Sequence, residues 1–293
     1  MEETAHRKGM KMKPKMHKVM GDGVPIQLAE WGAGGKTVLC VHGLTANCRC
    51  WDGIAEALSP HHHIMAMDLR GRGHSGHSPG GYDLRLHCRD IEAILHNLGL
   101  RSVVLMGHSL GAFITLSFAA LYPQHVERIV LVDGGGQLSP EQFAKVLEGI
   151  KPALERLGKV FPSHEAYQAP LKQASFLQPW SPAMESYFRY EVEEVPGGIR
   201  SRVRPAAIEE ELQNLQKSNI AELYGRISCP VLILRATEGT LAADDVLLPD
   251  EVLERMVREI PDARCVEVEG ANHYTIVFQP YALRDRTLLE FLG

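Results

Sequence analysis

The stretch VVLMGHSLGAF, residues 103–113, constrains the fold more than any other part of the chain. Four apolar residues, Val103 to Met106, lead into Gly107-His108-Ser109-Leu110-Gly111, and the apolar run AFITLSFAALYP leaves it. A strand that turns sharply into a helix brings its backbone close to itself, so bulky side chains two residues either side of the turn would clash. Ser109 then sits on a strained turn at the amino end of a helix. Free N–H groups and the helix dipole favour developing negative charge there. Ser109 is the candidate nucleophile.

Similar short apolar runs recur at 36–41, 63–68, 128–133, 230–236 and 263–270, and they read as strands buried on both faces. Helical patterns at roughly 51–58, 84–98, 110–122, 249–259 and 280–292 alternate with them. This rhythm predicts an α/β fold with a doubly wound, mostly parallel sheet joined by right-handed crossovers. Near the amino end, two short runs flank Gly21-Asp22-Gly23, the signal of an antiparallel hairpin on the sheet edge. Residues 137–225 break the rhythm: they hold no buried-strand run and are rich in helical pattern, proline and aromatic residues. They are expected to form a helical cap inserted into a core built from residues 1–136 and 226–293.

The chain has 293 residues, 45% hydrophobic and 23% charged, enough apolar material for one large core with an insertion. With 31 Lys plus Arg against 36 Asp plus Glu, it lacks the basic excess that nucleic-acid binding requires. The cysteines at 40, 48, 50, 88, 229 and 265 show neither redox nor zinc spacing, and several sit in apolar runs. Free thiols in a reducing cytoplasm are expected. The basic segment 1–20 has no signal-peptide core, and no run approaches the ~18 apolar residues of a membrane span. A solvated tail and no stable membrane association follow as expectations.

Two further motifs bear on chemistry. In VLCVHGLTAN (38–47), His42-Gly43 ends an apolar strand at a turn that can aim N–H groups above the sheet. Leu44 N–H and Leu110 N–H are the candidate oxyanion hole, with His42 holding the loop. In EVEGANHYTIVF (267–278), His273 follows the last strand and a Gly-Ala-Asn turn, placed to act as general base and then general acid. His42, Gly43, Trp51, His108 and Trp180 are the candidate pocket residues. Whether Phe176, Trp180, Tyr187, Phe188 and Tyr190 line that pocket or only pack the cap is open.

Taken together, VHGLTANCRCWDGIAEAL, DLRGRGHS, GHSLGAF, RIVLVDGG and EVEGANH resemble the α/β-hydrolase fold superfamily over nearly the whole chain. The resemblance implies a serine–acid–histidine triad in that chain order and a helical cap over it. It also implies that DLRGRGHS is a structural turn whose Asp68 and arginines tie loops together. Members commonly carry the acid just after the penultimate strand, but here RATEGTLAADD places Gly239 at that register. Glu238, Asp244 and Asp245 are local substitutes. Asp133, at the end of RIVLVDGG and followed by three glycines, is the favoured acid, matching members that carry it one strand earlier.

No metal site is expected. Consecutive histidines at 61–63 point to alternate faces of an extended segment. The expected activity is hydrolysis of carboxylic esters of small to medium acyl groups through an acyl-enzyme, with a small-molecule ester as partner and no cofactor. Lactone opening, carbon–carbon bond hydrolysis and a weakly catalytic small-molecule sensor remain alternatives.

Overall fold

The computed structural model describes residues 13–242 and 245–293. The chain opens with β1 (Lys15–Met20), β2 (Pro25–Trp31), β3 (Thr37–Val41), α1 (Asp52–Leu58), β4 (His63–Met67) and α2 (Leu84–Asn97). It continues through β5 (Val103–His108), α3 (Leu110–Leu121) and β6 (Val126–Val132). The insertion holds α4 (Pro140–Glu155), α5 (His164–Gln173), α6 (Pro182–Tyr190), β7 (Val192–Val195), β8 (Gly198–Ser201) and α7 (Pro205–Lys217). The core resumes with β9 (Val231–Ala236), α8 (Asp250–Glu259), β10 (Ala263–Val268), α9 (Thr275–Phe278) and α10 (Ala282–Leu292).

Eight strands form one sheet in the order β1-β2-β4-β3-β5-β6-β9-β10. The β1–β2 and β2–β4 pairs are antiparallel and all others parallel. All six residues of β5 are buried, as the apolar-on-both-faces reading requires of a central strand. Helix α3 is apolar all round because it is packed on nearly every side, with ten of its twelve residues buried. By contrast α2 is amphipathic, and it starts where the Asp83 side chain accepts from Leu86 N–H at 2.8 Å. The amino-terminal hairpin closes with Gly21 N–H donating to Val24 O, and Met20 pairs with Pro25.

Two expectations change. Strand β10 is not buried on both faces: only Val268 is fully buried, because the strand lies on the sheet edge with β9 as its sole neighbour. The insertion is also not purely helical. Its β7–β8 pair turns at Pro196-Gly197-Gly198, a turn signal within a segment whose strands are too short to show a periodicity. Three insertion helices begin at serine caps, Ser139, Ser163 and Ser181, the first completing a reciprocal box with Gln142. Helix α7 is tethered to the core: Glu210 accepts from Gly81 N–H and Tyr82 N–H, and Asn214 donates to Tyr82 O. The basic segment's residues 1–12 lie outside the described residues. Among the described residues, no helix is long and apolar enough to cross a membrane.

Candidate active site

Ser109 stands between β5 and α3 with φ 56° and ψ −122°, a conformation that costs a non-glycine residue about 1–3 kcal/mol. The flanking glycines are a packing requirement. A Cβ on Gly107 would lie 2.1 Å from Gly111 O, and one on Gly111 would lie 2.0 Å from Val41 O. Ser109 N–H donates to Val132 O at 3.1 Å, which fixes the turn against β6.

Residue 133 directly follows β6, one strand over from the serine, and also has positive φ, 44°. Asp133 is buried; its Oδ1 accepts from Ala236 N–H at 3.1 Å and its Oδ2 accepts from His273 Nδ1–H at 2.7 Å. With Nδ1 protonated toward Asp133, the His273 Nε2 carries the lone pair. Glu238 and Asp245 do not meet His273. Glu238 is exposed, and Asp245 closes its own loop by accepting from Thr240, Leu241 and Ala242 N–H. Asp244 lies outside the described residues. Gly239 also has a reason to be glycine: a Cβ there would stand 1.7 Å from Ala242 O, so this loop has no room for a side chain at that register.

The loop after β10 is shaped by Asn272, whose Oδ1 accepts from Tyr274 and Thr275 N–H while its Nδ2 donates to Phe176 O of the insertion. His108 Nε2–H donates to His273 O at 2.9 Å, and the two rings stack 4.6 Å apart. Burial, helped by the neighbouring His273, holds the His108 pKa well below the ordinary imidazole value. His108 is thus a neutral prop for the loop that carries His273.

The loop after β3 meets the serine from the other side. A Cβ on Gly43 would stand 3.0 Å from Ser109 Cβ and 3.5 Å from Ser109 Oγ. Leu110 N–H, in the first turn of α3, has no acceptor within the helix. The loop's conformation is held from below and behind. His42 Nδ1–H donates to Gly43 O at 2.7 Å and its Nε2 accepts from Leu69 N–H at 2.9 Å. Burial is the main reason its pKa is lowered to about 3. Arg72 Nε–H donates to Leu44 O at 3.0 Å, and its far end pairs with the buried Glu211 of α7, which also accepts from His87. Nothing in the sequence marks Glu211 or His87: their spacing to Arg72 spans two loops and the insertion. Asp68 behaves as a loop tie, accepting from Cys48 N–H, His74 N–H and the Tyr190 hydroxyl.

These loops floor a cavity of about 280 Å³ that exposes Gly43, Leu44, His108, Ser109, Leu110 and His273. Its remaining wall is mostly apolar and comes largely from the insertion, including Phe143, Ile150, Phe176, Tyr187 and Phe188. Three expected pocket residues are elsewhere. His42 is beneath the floor, spent on its two hydrogen bonds. Trp51 is fully buried in the core between the sheet and its covering helices, too large and apolar to leave it. Trp180 stacks on the far side of Phe188, with Lys172 above its ring. Of the insertion aromatics, Tyr190 is likewise off the cavity, held by Asp68. Among the described residues, no cluster of three or more His, Cys, Asp or Glu could hold a metal ion.

A 2-(acetamidomethylene)succinate hydrolase from Mesorhizobium japonicum is 28% identical over 259 residues, covering 88% of each chain. A serine hydrolase-like protein from Danio rerio is 29% identical over 262 residues, covering 83% of this chain and 78% of its own. Among solved structures, E-2-(acetamidomethylene)succinate hydrolase superposes with a TM-score of 0.81 at 25% identity, covering 95% of this chain and 99% of that one. The thioesterase domain from the curacin biosynthetic pathway, at TM-score 0.75 and 19% identity over 96% and 99% of the two chains, shares the fold alone. The relatives support hydrolysis in general. The sequence profile of the alpha/beta hydrolase fold matches residues 36–280, and with the elbow and sheet order described above the chain belongs to that family.

Proposed function

We propose that the protein is a serine hydrolase that cleaves carboxylic esters of small to medium, apolar acyl groups, with Ser109, His273 and Asp133 as its triad. The observation that carries this reading is the chain of contacts from the buried Asp133 to His273 at 2.7 Å, on the wall of the same cavity that exposes Ser109. In this reading His273 Nε2 takes the Ser109 proton as Oγ bonds to the ester carbonyl carbon. Leu44 and Leu110 N–H hold the resulting oxyanion, each worth about 3 kcal/mol to the transition state. His273 then returns the proton to the departing alkoxide, which leaves as the alcohol. Water, deprotonated by the same imidazole, attacks the acyl-Ser109 carbonyl, and collapse of that intermediate releases the carboxylic acid and restores the serine. Asp133 fixes the imidazole tautomer and stabilises the imidazolium throughout. Residues 137–225 act as the cap that shields these steps from solvent.

The Mesorhizobium relative's name supports a second reading, in which the same serine opens an acyl bond other than an ester, since its named substrate carries an acetamido group on a succinate. Steady-state and burst kinetics on p-nitrophenyl esters of graded chain length, with anilides and lactones of matching acyl groups, test both. Ester turnover with a burst, lost in Ser109→Ala, is the expected result. Turnover confined to anilides or lactones would move the reaction class. No turnover of any of them, with Ser109→Ala binding them as tightly as wild type, would leave a sensor rather than an enzyme.

A further inference from the structure

Resting on that reading, we propose that this cavity selects acyl groups that are uncharged along their length, and that Glu191 sets the selection by neutralising Arg156. Arg156 is the one Lys or Arg, and the one fixed charge, among the described residues that line the cavity. A cation on the wall of an otherwise apolar pocket would ordinarily be read as a receptor for a substrate carboxylate. Its charge is already paired with a buried carboxylate.

Arg156 Nε–H and Nη2–H donate to Glu191 Oε1 at 3.1 and 2.8 Å, and Nη1–H donates to Ala153 O at 3.0 Å. Nε–H also reaches the Tyr167 hydroxyl at 3.0 Å, which in turn donates to Glu191 Oε1 at 2.8 Å. Ser201 Oγ–H adds a fourth donor to that same oxygen. Only 1% of the Glu191 side chain and 11% of the Arg156 side chain are exposed. Glu191 Oε2 accepts no hydrogen bond among the described residues.

An incoming carboxylate would therefore shed its hydration on entering and meet a guanidinium whose charge Glu191 already offsets and whose Nε, Nη1 and Nη2 each already donate one hydrogen bond. A methyl group at the same position loses nothing and gains contact with Phe188, whose ring lies 5.8 Å from the guanidinium carbon. The pair is thus a structural strut that faces the cavity as a neutral surface. Its partners come from α5, β8 and the end of α6, so it also ties the insertion's elements together.

The test uses two ligands that differ only at the tip: methyl hexanoate and the monomethyl ester of adipic acid, which carries a carboxylate in place of the terminal methyl. Calorimetry on Ser109→Ala measures binding without turnover, so its result stands whether or not the ester reading survives; wild-type turnover of the same pair tests that reading separately. The expected result is at least about 100-fold weaker binding of the adipate ester. Equal binding, or tighter binding of the adipate ester, would overturn the proposal. Adding Glu191→Gln should narrow the gap at least tenfold by exposing an uncompensated cation, and adding Arg156→Gln should widen it. A gap unmoved by both substitutions would assign the selection elsewhere and overturn the role of Glu191. Should Glu191→Gln not fold, the Arg156→Gln arm and the unsubstituted comparison still decide.

Discussion

The floor and the roof of the cavity are built on opposite principles. On the floor, Asp133, His273, His108 and the 42–46 loop are fixed by buried hydrogen bonds, several of them between residues more than a hundred positions apart. The roof presents Phe143, Ile150, Phe176 and their neighbours, apolar side chains that fill space without directing it. Reaction class follows from the floor, where tenths of an ångström matter. Selectivity belongs to the roof, where a methylene changes binding by about 0.8 kcal/mol and several side chains can substitute for one another. The difference teaches that chemistry here is specified by a few irreplaceable contacts, and the fit of an acyl chain, outside the Arg156–Glu191 pair, by many weak ones.

The comparison is broken most severely by Ser109→Ala, expected to lower kcat by about 10⁶ in ester turnover with little change in thermal stability. A loss below tenfold would move the nucleophile off the floor. Asp133→Asn should lower kcat by about 10⁴, since the wrong imidazole tautomer would be favoured. Glu238→Gln, an exposed change in the loop where the acid is more commonly found, should alter kcat by no more than about twofold. The reverse ranking of those two would return the acid to the penultimate-strand loop.

Glu211→Leu tests the floor's dependence on the insertion. It leaves the buried Arg72 and His87 without their carboxylate, and a loss of about 3–5 kcal/mol in denaturant-derived stability is expected. His42 supplies a smaller, pH-dependent effect. Its folded pKa of about 3 lies below the unfolded value, so between pH 6.5 and 3 the unfolded chain binds a proton that the native state refuses. Stability contributed by the neutral imidazole is complete above pH 6.5 and falls as pH drops, by about 1.4 kcal/mol per unit. In His42→Gln that part of the slope should disappear, measured as the difference between the two proteins' unfolding free energies at pH 7 and pH 5. A single roof side chain also has a modest effect: Phe143→Ala should change kcat/KM by less than about tenfold on a hexanoate ester, because neighbouring apolar side chains still cover the chain.

The same contrast explains what the sequence made legible. The elbow was readable because Gly107 and Gly111 answer to local sterics that any such turn imposes. The strands of the sheet's interior are readable because burial on both faces leaves a short run of mostly apolar residues. Asp133 was singled out from position and from the glycines behind it, yet its contact with His273 is a fact of strand order that spacing alone does not contain. The pocket residues fared worst. Trp51 beside the oxyanion loop and Trp180 among the insertion's aromatics suit a pocket by size, but a large aromatic is as well satisfied by a core or a surface stack as by a cavity. The short β7–β8 hairpin and the Arg72–Glu211–His87 cluster escaped notice because neither leaves a periodic or spaced signature.

The most direct test is mass spectrometry of the intact enzyme, acid-quenched during turnover of a p-nitrophenyl hexanoate and then digested. A hexanoyl adduct on the peptide containing Ser109, accumulating to near stoichiometry within the burst and absent from Ser109→Ala, is the predicted result. Turnover of that ester with no adduct on the Ser109 peptide, or with the adduct on another residue, would contradict the account.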